Sequence, residues 1–251
     1  MIRESENTIS DIVQIERQDR VATVYLNRPA SRNALNRELV TTLRRVVNAL
    51  STDASVRVIV LRGRGKSFCA GADLKEAKST EYGEHRAWTN ELDGLMGAIK
   101  TAPVPVIASV HGHAIGAGCT LAMVCDYFVL SRDTSLGFPE LRHGLTPGMT
   151  YPQLRRLAGP RRAMDLILSG APISAEEAVA CGIASEVVDF KDLDESVADF
   201  AKRIADYDPE PVRAIKRLAR AVDAMPPAAA EAAGIDAVII RRLHTQQRAT
   251  V

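Results

Sequence analysis

Hydrophobic and polar residues alternate with two different periods along the N-terminal part of the chain. The runs DIVQIER (11–17) and VATVYL (21–26) have the period of strands, and the polar QDR between them predicts a hairpin. Residues 36–50 have the period of a helix instead, with apolar side chains at Leu39, Val40, Leu43, Val46, Val47 and Leu50. The β-branched run VRVIVLR (56–62) then predicts a strand, and the glycine-bearing loop GRGKSFCAGADL (63–74) follows it.

The same alternation continues through the middle of the chain. An amphipathic helix is predicted across the eighties and nineties, followed by a strand in PVPVIASV (103–110). A second glycine-bearing segment, HGHAIGAGCT (111–120), leads into a helix from about Gly118, and YFVLS (127–131) predicts the next strand. Strands alternating with helices indicate an α/β fold with right-handed crossovers.

The C-terminal part predicts mainly helices. Ser174 and Glu177 in SAEE form a capping box, and Gly182 suits the position just past the end of that helix. The short strand SEVVD (185–189) precedes two or three helices rich in Ala, Arg and Leu, interrupted at Pro226 and Pro227. We therefore divide the chain into a core of residues 1–190 and a helical region of residues 191–251.

Composition and charge exclude several classes of partner. Lys and Arg number 32 against 31 for Asp and Glu, so no global basic field exists to hold nucleic acid or an anionic membrane. The four cysteines form no C-x-x-C pair, and the N-terminus MIRESENTISD lacks an apolar signal core. No stretch approaches the roughly 18 uncharged apolar residues of a membrane span. These features predict a cytoplasmic protein with no nucleic-acid or membrane partner.

Two histidines, His111 and His113, flank a glycine, which raises the question of a metal site. Their i, i+2 spacing and the lack of a third ligand nearby favour structural hydrogen bonding instead. We predict no metal.

The two glycine-bearing segments both follow a predicted buried strand, where ligands bind in α/β sheets. A phosphate loop is a weak interpretation, because no G-x-x-x-x-G-K-[ST] occurs and Leu121 occupies the place of a third glycine. Close packing of a helix on a strand is a second interpretation. A third is that two turns on neighbouring crossovers aim two backbone N–H groups at one oxygen, which would stabilise a developing oxyanion.

These segments carry a family resemblance. FCAGADLKE (68–76) and HGHAIGAGCTLAMVCD (111–126) resemble the two signature segments of the crotonase, or enoyl-CoA hydratase/isomerase, superfamily. The resemblance extends through LNRPASRNALN (26–36), FPELRHGLTPG (138–148) and APISAEEAVACGIASEVV (171–188), and covers roughly residues 11 to 210 in order. It implies a spiral of ββα units with a C-terminal helical region for trimerisation, assembled as homotrimers or dimers of trimers. It also implies an acyl-CoA thioester substrate and no separate cofactor, because coenzyme A is part of the substrate.

The resemblance also assigns roles to particular residues. Ala72 and Ala117 match the two positions whose backbone N–H groups form the family's oxyanion hole. The stretch Ala70, Ala72, Asp73, Leu74 and Lys75 is similar to the segment beside the coenzyme A moiety, although Asp73 suits a turn better than a base. Arg32 matches a commonly basic position near the coenzyme A phosphates, and an ordinary surface cation is the alternative for Arg32 and Lys75.

Acid–base chemistry is where the sequence departs from the family's hydratases. Hydratases of the family use two glutamates, and Thr120 stands where the first is expected while Glu140 keeps the second. Addition of water calls for an activated water and a proton donor, whereas one carboxylate suffices to move a proton between two carbons. We therefore expect Glu140 to be the base of a 3-enoyl to 2-enoyl isomerisation.

Several alternatives remain open at this point. The family's hydratases often have P-G-A-G-G where this chain has PGMTY (147–151), so the acyl pocket is reshaped, and His143 and Tyr151 become candidate auxiliary acids beside Thr120. Hydration of a 2-enoyl-CoA is the main alternative reaction, followed by decarboxylation or hydrolysis of another acyl-CoA. A non-catalytic relative that only binds coenzyme A is the alternative from a different class.

Overall fold

The computed structural model describes residues 7–76 and 81–249. A seven-stranded sheet in the order β1-β2-β3-β4-β5-β7-β9 forms its centre, antiparallel between the first three strands and parallel from β3 onward. Its strands are β1 (Asn7–Ser10), β2 (Val13–Gln18), β3 (Val21–Leu26), β4 (Val58–Gly63), β5 (Val106–Val110), β7 (Tyr127–Ser131) and β9 (Glu186–Val188). Two short parallel strands, β6 (His113–Ile115) and β8 (Ser135–Gly137), form a separate small sheet.

Helices fill the crossovers and the C-terminal region. They are α1 (Arg37–Thr52), α2 (Tyr82–Thr101), α3 (Ala117–Met123), α4 (Thr150–Ser169), α5 (Ala175–Ala180), α6 (Leu193–Ala205), α7 (Pro209–Val222) and α8 (Pro227–Ala249). Short 3-10 helices occur at Pro29–Ser31, Glu140–His143 and Phe190–Asp192.

The strand pleat divides the buried residues between two faces of the sheet. On one face Val24, Ile59, Leu61 and Ala108 belong to the main core, which also contains the buried sides of α1 and α2. On the other face Val58, Val60, Ile107 and Val129 pack against α6 through Leu193, Val197, Ala201 and Ala205. Alternate residues of a strand point to opposite faces, so β4 is buried on both sides. The sheet is thus the middle layer of an α/β/α arrangement.

The predicted elements with the strongest periodicity are confirmed. α1 buries all six of its predicted apolar positions, and Asn36 caps it by accepting a hydrogen bond from the backbone N–H of Leu39 at 3.0 Å. Ser174 accepts from the N–H of Glu177 at 3.1 Å, and Gly182 has a φ of 78° after the end of α5. The hairpin, the α2 helix and the strand YFVLS lie where the sequence placed them.

Other elements differ from the prediction. The strand placed at 103–110 begins only at Val106, since Pro103 and Pro105 lack the N–H that a ladder needs. The strands β1, β6 and β8 and the helix α4 were not predicted, and β6 and β8 have only three residues each. α4 is interrupted at Gly159, which has a non-helical φ of 77° and is followed by Pro160. Such short strands are too brief to show a period, and the break divides the pattern of α4.

A candidate active site at the ends of two parallel strands

Two turns lie side by side where β4 and β5 end. We call residues 64–74 the first turn and residues 111–118 the second turn. β4 and β5 are parallel neighbours in the sheet, so both turns emerge at the same edge. They are joined by backbone hydrogen bonds, from Cys69 N to His113 O at 3.0 Å and from Ile115 N to Cys69 O at 3.1 Å.

The amide of Ala72 is left free by the way the first turn is held. Leu35 pairs with this turn by donating to Gly71 O at 2.8 Å and accepting from Asp73 N at 2.9 Å. These bonds engage the carbonyl of Gly71 and the N–H of Asp73, so the N–H of Ala72 between them points away from Leu35. Among the described residues, the Ala72 N–H has no hydrogen-bond acceptor.

The amide of Ala117 likewise has no acceptor in the described part of the chain, because Ala117 is the first residue of α3, where an N–H has no intrahelical acceptor. The two turns touch close to this amide: a Cβ on Gly71 would lie 3.7 Å from Ala117 N and 2.7 Å from Ile115 O. Gly71 has a φ of 96°, so this contact requires glycine both for space and for conformation. The Ala117 amide thus lies next to Gly71 of the first turn, and Ala72 and Ala117 line the same cavity.

Both turns border a cavity of about 350 Å³. Helix α2 also lines the cavity, with three apolar and two polar side chains, and so does the segment from Pro139 to Thr150. The α2 residues that line the cavity are His85, Trp88, Thr89, Leu92 and Met96. An apolar cavity with a few polar groups converging on it has the character of a small-molecule site.

Glu140 lies at this cavity, in the first position of the 3-10 helix Glu140–His143. It is half-buried, and Thr150 donates a hydrogen bond to its Oε1 at 3.1 Å. Its Oε2 is buried and has no partner in the part of the chain that the structure describes. Among the described residues that line the cavity, Glu140 is the only carboxylate.

The remaining predicted residues divide into two groups. Ala70, Leu74, Thr120 and His143 line the cavity, Thr120 from a buried position and His143 from an exposed one at its mouth. Tyr151 does not line it, and instead packs partly buried against the main core. The structure therefore does not bring Tyr151 to the site as an auxiliary acid.

Arg32, Asp73 and Lys75 also lie outside the cavity wall. Asp73 pairs with Arg28 at 3.1 Å and accepts from the N–H of Lys75 at 3.2 Å, so its carboxylate is occupied in shaping the turn. The backbone carbonyl of Arg32 accepts from Ala70 N at 3.0 Å, while its side chain and that of Lys75 are exposed. Both cations are thus placed next to the first turn, and their role toward coenzyme A stays a prediction.

Asn33 is a residue of this region that sequence reasoning missed. Its side chain is completely buried, donates to Arg64 O at 3.0 Å and Ser67 O at 2.8 Å, and accepts from Arg28 N at 2.8 Å. It adopts a φ of 55°, which asparagine tolerates better than most residues. Two of the three partners of Asn33, Arg64 and Ser67, lie more than thirty residues away in the sequence, so local pattern alone does not indicate its role.

The histidines and cysteines near the turns are structural. His111 pairs through Nε2 with Gly65 O at 2.9 Å, and burial lowers the pKa of this histidine. His113 lies 3.2 Å from Ser67 Oγ. Burial raises the pKa of Cys69 to about 12 and also raises the pKa of Cys119, so neither thiol is ionised near neutral pH.

Metal-binding clusters and membrane-spanning helices do not occur in the described ranges 7–76 and 81–249. No group of three His, Cys, Asp or Glu side chains in those ranges is arranged to hold a metal ion. None of the helices there combines the length and the apolar character that crossing a membrane requires.

A larger cavity, of about 660 Å³, lies on the opposite face of the sheet beside α6. Neither turn reaches it, and its one arginine from β4, Arg62, is already paired with Asp194. The smaller cavity is the one at which free amides and an unpaired carboxylate oxygen meet.

Comparison with known proteins agrees with this geometry. Residues 16–246 match the family model described as enoyl-CoA hydratase/isomerase. A probable enoyl-CoA hydratase of Rhizobium meliloti is 39% identical over 194 residues, which are 77% of this chain and 75% of that protein. The 2,3-dehydroadipyl-CoA hydratase of Escherichia coli is 36% identical over 208 residues, 82% of this chain and 80% of that protein.

The fold is similar to that of solved structures as well. The crystal structure of an enoyl-CoA hydratase from Bacillus anthracis superposes with a TM-score of 0.88 at 31% identity, covering 94% of this chain and 95% of that one. The crotonase-like fold expected from the sequence is confirmed. This chain belongs to the enoyl-CoA hydratase/isomerase family.

Proposed function

We propose that this enzyme isomerises 3-enoyl-CoA thioesters to 2-enoyl-CoA thioesters, with Glu140 as the single base. The observation that carries the proposal is that Glu140 is the only carboxylate among the described residues lining the cavity that both turns border. Thr150 is hydrogen-bonded to it and Thr120 is hydrogen-bonded to Thr150, and a hydroxyl is too weak an acid and base to replace a second glutamate.

The reaction needs one group to remove a proton and return it. In the proposed mechanism Glu140 Oε2 takes a proton from C2 of the 3-enoyl thioester, and the electron pair is delocalised over C2, C3, C4 and the thioester oxygen. The same carboxyl then gives the proton to C4, which leaves the double bond between C2 and C3. No water, oxidant or second base enters the balance.

The negative charge that develops on the thioester oxygen is assigned to the amides of Ala72 and Ala117. Both N–H groups are free of acceptors among the described residues, so the oxygen replaces no existing bond. Each such donor is worth about 3–4 kcal/mol of transition-state stabilisation in enzymes that use one.

The apolar wall of α2 is assigned to the acyl chain. Trp88, Leu92 and Met96 face the cavity, and burying an acyl chain against them releases water from both surfaces. Leu74, half exposed at the cavity edge, with Lys75 and Arg32 beyond it, marks the side from which coenzyme A would extend. Coenzyme A would then enter as part of the substrate and no further cofactor is proposed.

An assembly of three subunits, or two such trimers, is also proposed. Among the described residues, several large apolar side chains of α7 and α8 are at least half exposed: Ile215, Ile235, Val238, Ile239, Ile240 and Leu243. Exposed apolar clusters of this kind mark protein contacts.

Hydration of 2-enoyl-CoA is the second candidate, favoured by the names of the relatives described above. To decide between the two, cis-3-enoyl-CoA and trans-2-enoyl-CoA of several chain lengths are offered to the wild type, to Glu140→Gln and to the control Glu195→Gln. Glu195 is exposed on α6, outside both cavities.

We expect isomerisation by the wild type and the control, and a loss of about 10²- to 10⁴-fold in Glu140→Gln. Isomerisation undiminished in Glu140→Gln would contradict the proposal. Fast hydration of the 2-enoyl substrate with no isomerisation would support the hydratase instead. Binding of acyl-CoA without turnover of any substrate would identify a non-catalytic relative, and turnover of other acyl-CoA compounds a decarboxylase or hydrolase.

A further inference from the structure

Two buried threonines connect Glu140 to helix α3. Thr150 Oγ1 lies 3.1 Å from Glu140 Oε1 and 2.9 Å from Thr120 Oγ1. Thr120 and Thr150 are only 2% and 3% exposed, so bulk water does not compete for these bonds. One hydroxyl thus bridges the cavity carboxylate to a residue of the helix that begins at Ala117.

The number of hydroxyl protons indicates the direction of the hydrogen bonds that link Thr120, Thr150 and Glu140. Thr150 has one proton, and the ionised carboxylate of Glu140 is its stronger acceptor. Thr120 must therefore supply the proton of the bond between the two hydroxyls. Gly116 O, at 3.2 Å, is the competing acceptor for this proton, and it also receives the backbone N–H of Thr120 at 3.0 Å.

The consequence concerns the two oxygens of the carboxylate. Oε1 is held by Thr150, and Oε2 is left buried without a partner among the described residues. A carboxylate held at one oxygen presents the other in a fixed direction, which is what a base requires when it must reach two carbons in turn. The hydrogen bonds through Thr150 and Thr120 also connect Glu140 to α3, which carries the Ala117 amide.

We propose that Thr150 is a positioning residue, which with Thr120 behind it holds Glu140 Oε1 so that Oε2 alone acts as the base. This inference rests on the assignment of Glu140 as the base in the proposed function. Thr150 itself neither touches the substrate carbon nor exchanges a proton with it.

The proposal makes different demands on three substitutions. Thr150→Val keeps the shape of the side chain and removes the donor to Oε1. Thr150→Ser keeps the donor and removes a methyl group. Thr120→Val keeps Thr150 and removes only the hydroxyl behind it.

A matched control comes from another buried hydroxyl pair. Thr134 is 4% exposed and lies 2.9 Å from Ser131 Oγ, and neither residue lines the cavity. Thr134→Val removes a buried hydroxyl of the same kind without affecting Glu140.

The experiment first identifies the reaction that Glu140→Gln abolishes, isomerisation or hydration, and then measures that reaction in all four threonine variants. We expect Thr150→Val to lower kcat by about tenfold to hundredfold with little change in KM, the value of a lost hydrogen bond to a charged group. We also expect the pH–rate profile of Thr150→Val to differ from that of the wild type, because the carboxylate has lost a hydrogen-bond donor. Thr150→Ser should restore most of kcat, Thr120→Val should lose less, and Thr134→Val should keep both kcat and the pH profile.

The outcomes separate the positioning role from the proposed function. If Glu140→Gln is fully active in both reactions, the proposed function fails. If Glu140→Gln is inactive but Thr150→Val retains the kcat and pH profile of the wild type, only the positioning role fails. Thermal unfolding of each variant shows whether it is folded. If Thr150→Val does not fold, Thr150→Ser still tests the positioning role. A Thr150→Ser enzyme as impaired as Thr150→Val would mean that the methyl group matters and would overturn the proposal.

Discussion

The first turn and the second turn present equivalent amides, but different features hold them in place. In the second turn small residues allow backbones to approach: a Cβ on Gly118 would lie 2.4 Å from Cys69 O and 2.9 Å from Cys69 Cβ. The first turn is held by a buried side chain from outside it: Asn33 donates two hydrogen bonds to the turn, at Arg64 O and Ser67 O, and accepts a third from Arg28 N. The second turn thus depends on the lack of a side chain at Gly118, whereas the first turn, which needs glycine at Gly71, depends in addition on the side chain of Asn33.

This difference determines how each turn can fail. A position that needs glycine fails by steric overlap, and overlap with a backbone carbonyl cannot be relieved by rotating a side chain. A position that needs asparagine fails by leaving buried polar groups unpaired. The two turns meet at Cys69, so a steric overlap at Gly118 is expected to reach both amides, whereas the loss of Asn33 is expected to loosen the first turn alone.

Gly118→Ala is expected to have the largest effect. The added methyl group overlaps the carbonyl and side chain of Cys69, so α3 must move away from the first turn, at a cost of about 3 kcal/mol in the free energy of unfolding. Activity should be lost with it, since Ala117 moves together with α3. Denaturant unfolding and steady-state kinetics measure the two effects.

The matched control for this variant is Gly97→Ala. A Cβ on Gly97, within α2, would meet nothing within 4 Å, so this variant should gain about 0.5–1 kcal/mol. Equal stability of the two alanine variants would show that the second turn does not depend on close approach.

Asn33→Ala is expected to have an intermediate effect, of about 2 kcal/mol. It leaves two carbonyls and one N–H without their partner and places alanine at a φ of 55°. Because Asn33 holds only the first turn, we expect kcat to fall while the native fold persists, as circular dichroism would show. An Asn33→Ala enzyme with wild-type kcat would mean that the Ala72 amide is positioned by other contacts.

The smallest expected effect is a change in the rate at which a thiol reagent labels the buried cysteines near the turns. This measurement best distinguishes the two turns. Cys69 is in the first turn and Cys119 lies just after the second, both fully buried with a raised pKa, whereas Cys181 is half-buried. A thiol reagent at pH 8 should therefore modify Cys181 well before either. Cys69 Sγ donates to Asn33 O at 3.1 Å, so opening of the first turn exposes this thiol.

In Asn33→Ala we expect labelling of Cys69 to accelerate by on the order of tenfold while that of Cys119 changes little, because only the first turn opens more often. Mass spectrometry of digested protein follows each cysteine separately. Equal acceleration of both thiols would show that the two turns open as one unit.

Much of this fold was predictable because its signals are local. The apolar positions of α1, its cap at Asn36 and the cap at Ser174 each depend on residues within one turn of a helix. The two glycine-bearing turns were predictable for a related reason, since glycine just after a buried strand commonly marks a tight turn or a close approach of the backbone.

The parts that were missed depend on distant partners. Asn33 is a turn residue in sequence, and its importance comes from Arg64 and Ser67 in another segment. In the sequence Thr150 is only one residue of PGMTY, and its contact with Glu140 depends on how α4 begins. The exclusion of Tyr151 from the cavity, one residue later, is decided by the same helix.

By itself the sequence determined the alternation of strands and helices, the family, the two amide-bearing turns and Glu140 with Thr120 in place of a second glutamate. These follow from local spacing and from several motifs in a fixed order. Only the tertiary structure decided that the cavity has a single carboxylate among its described residues and that Thr120 and Thr150 hold that carboxylate by one oxygen. The reason is physical: hydrogen bonds and burial join residues that the chain keeps tens of positions apart, and packing alone selects which of them meet.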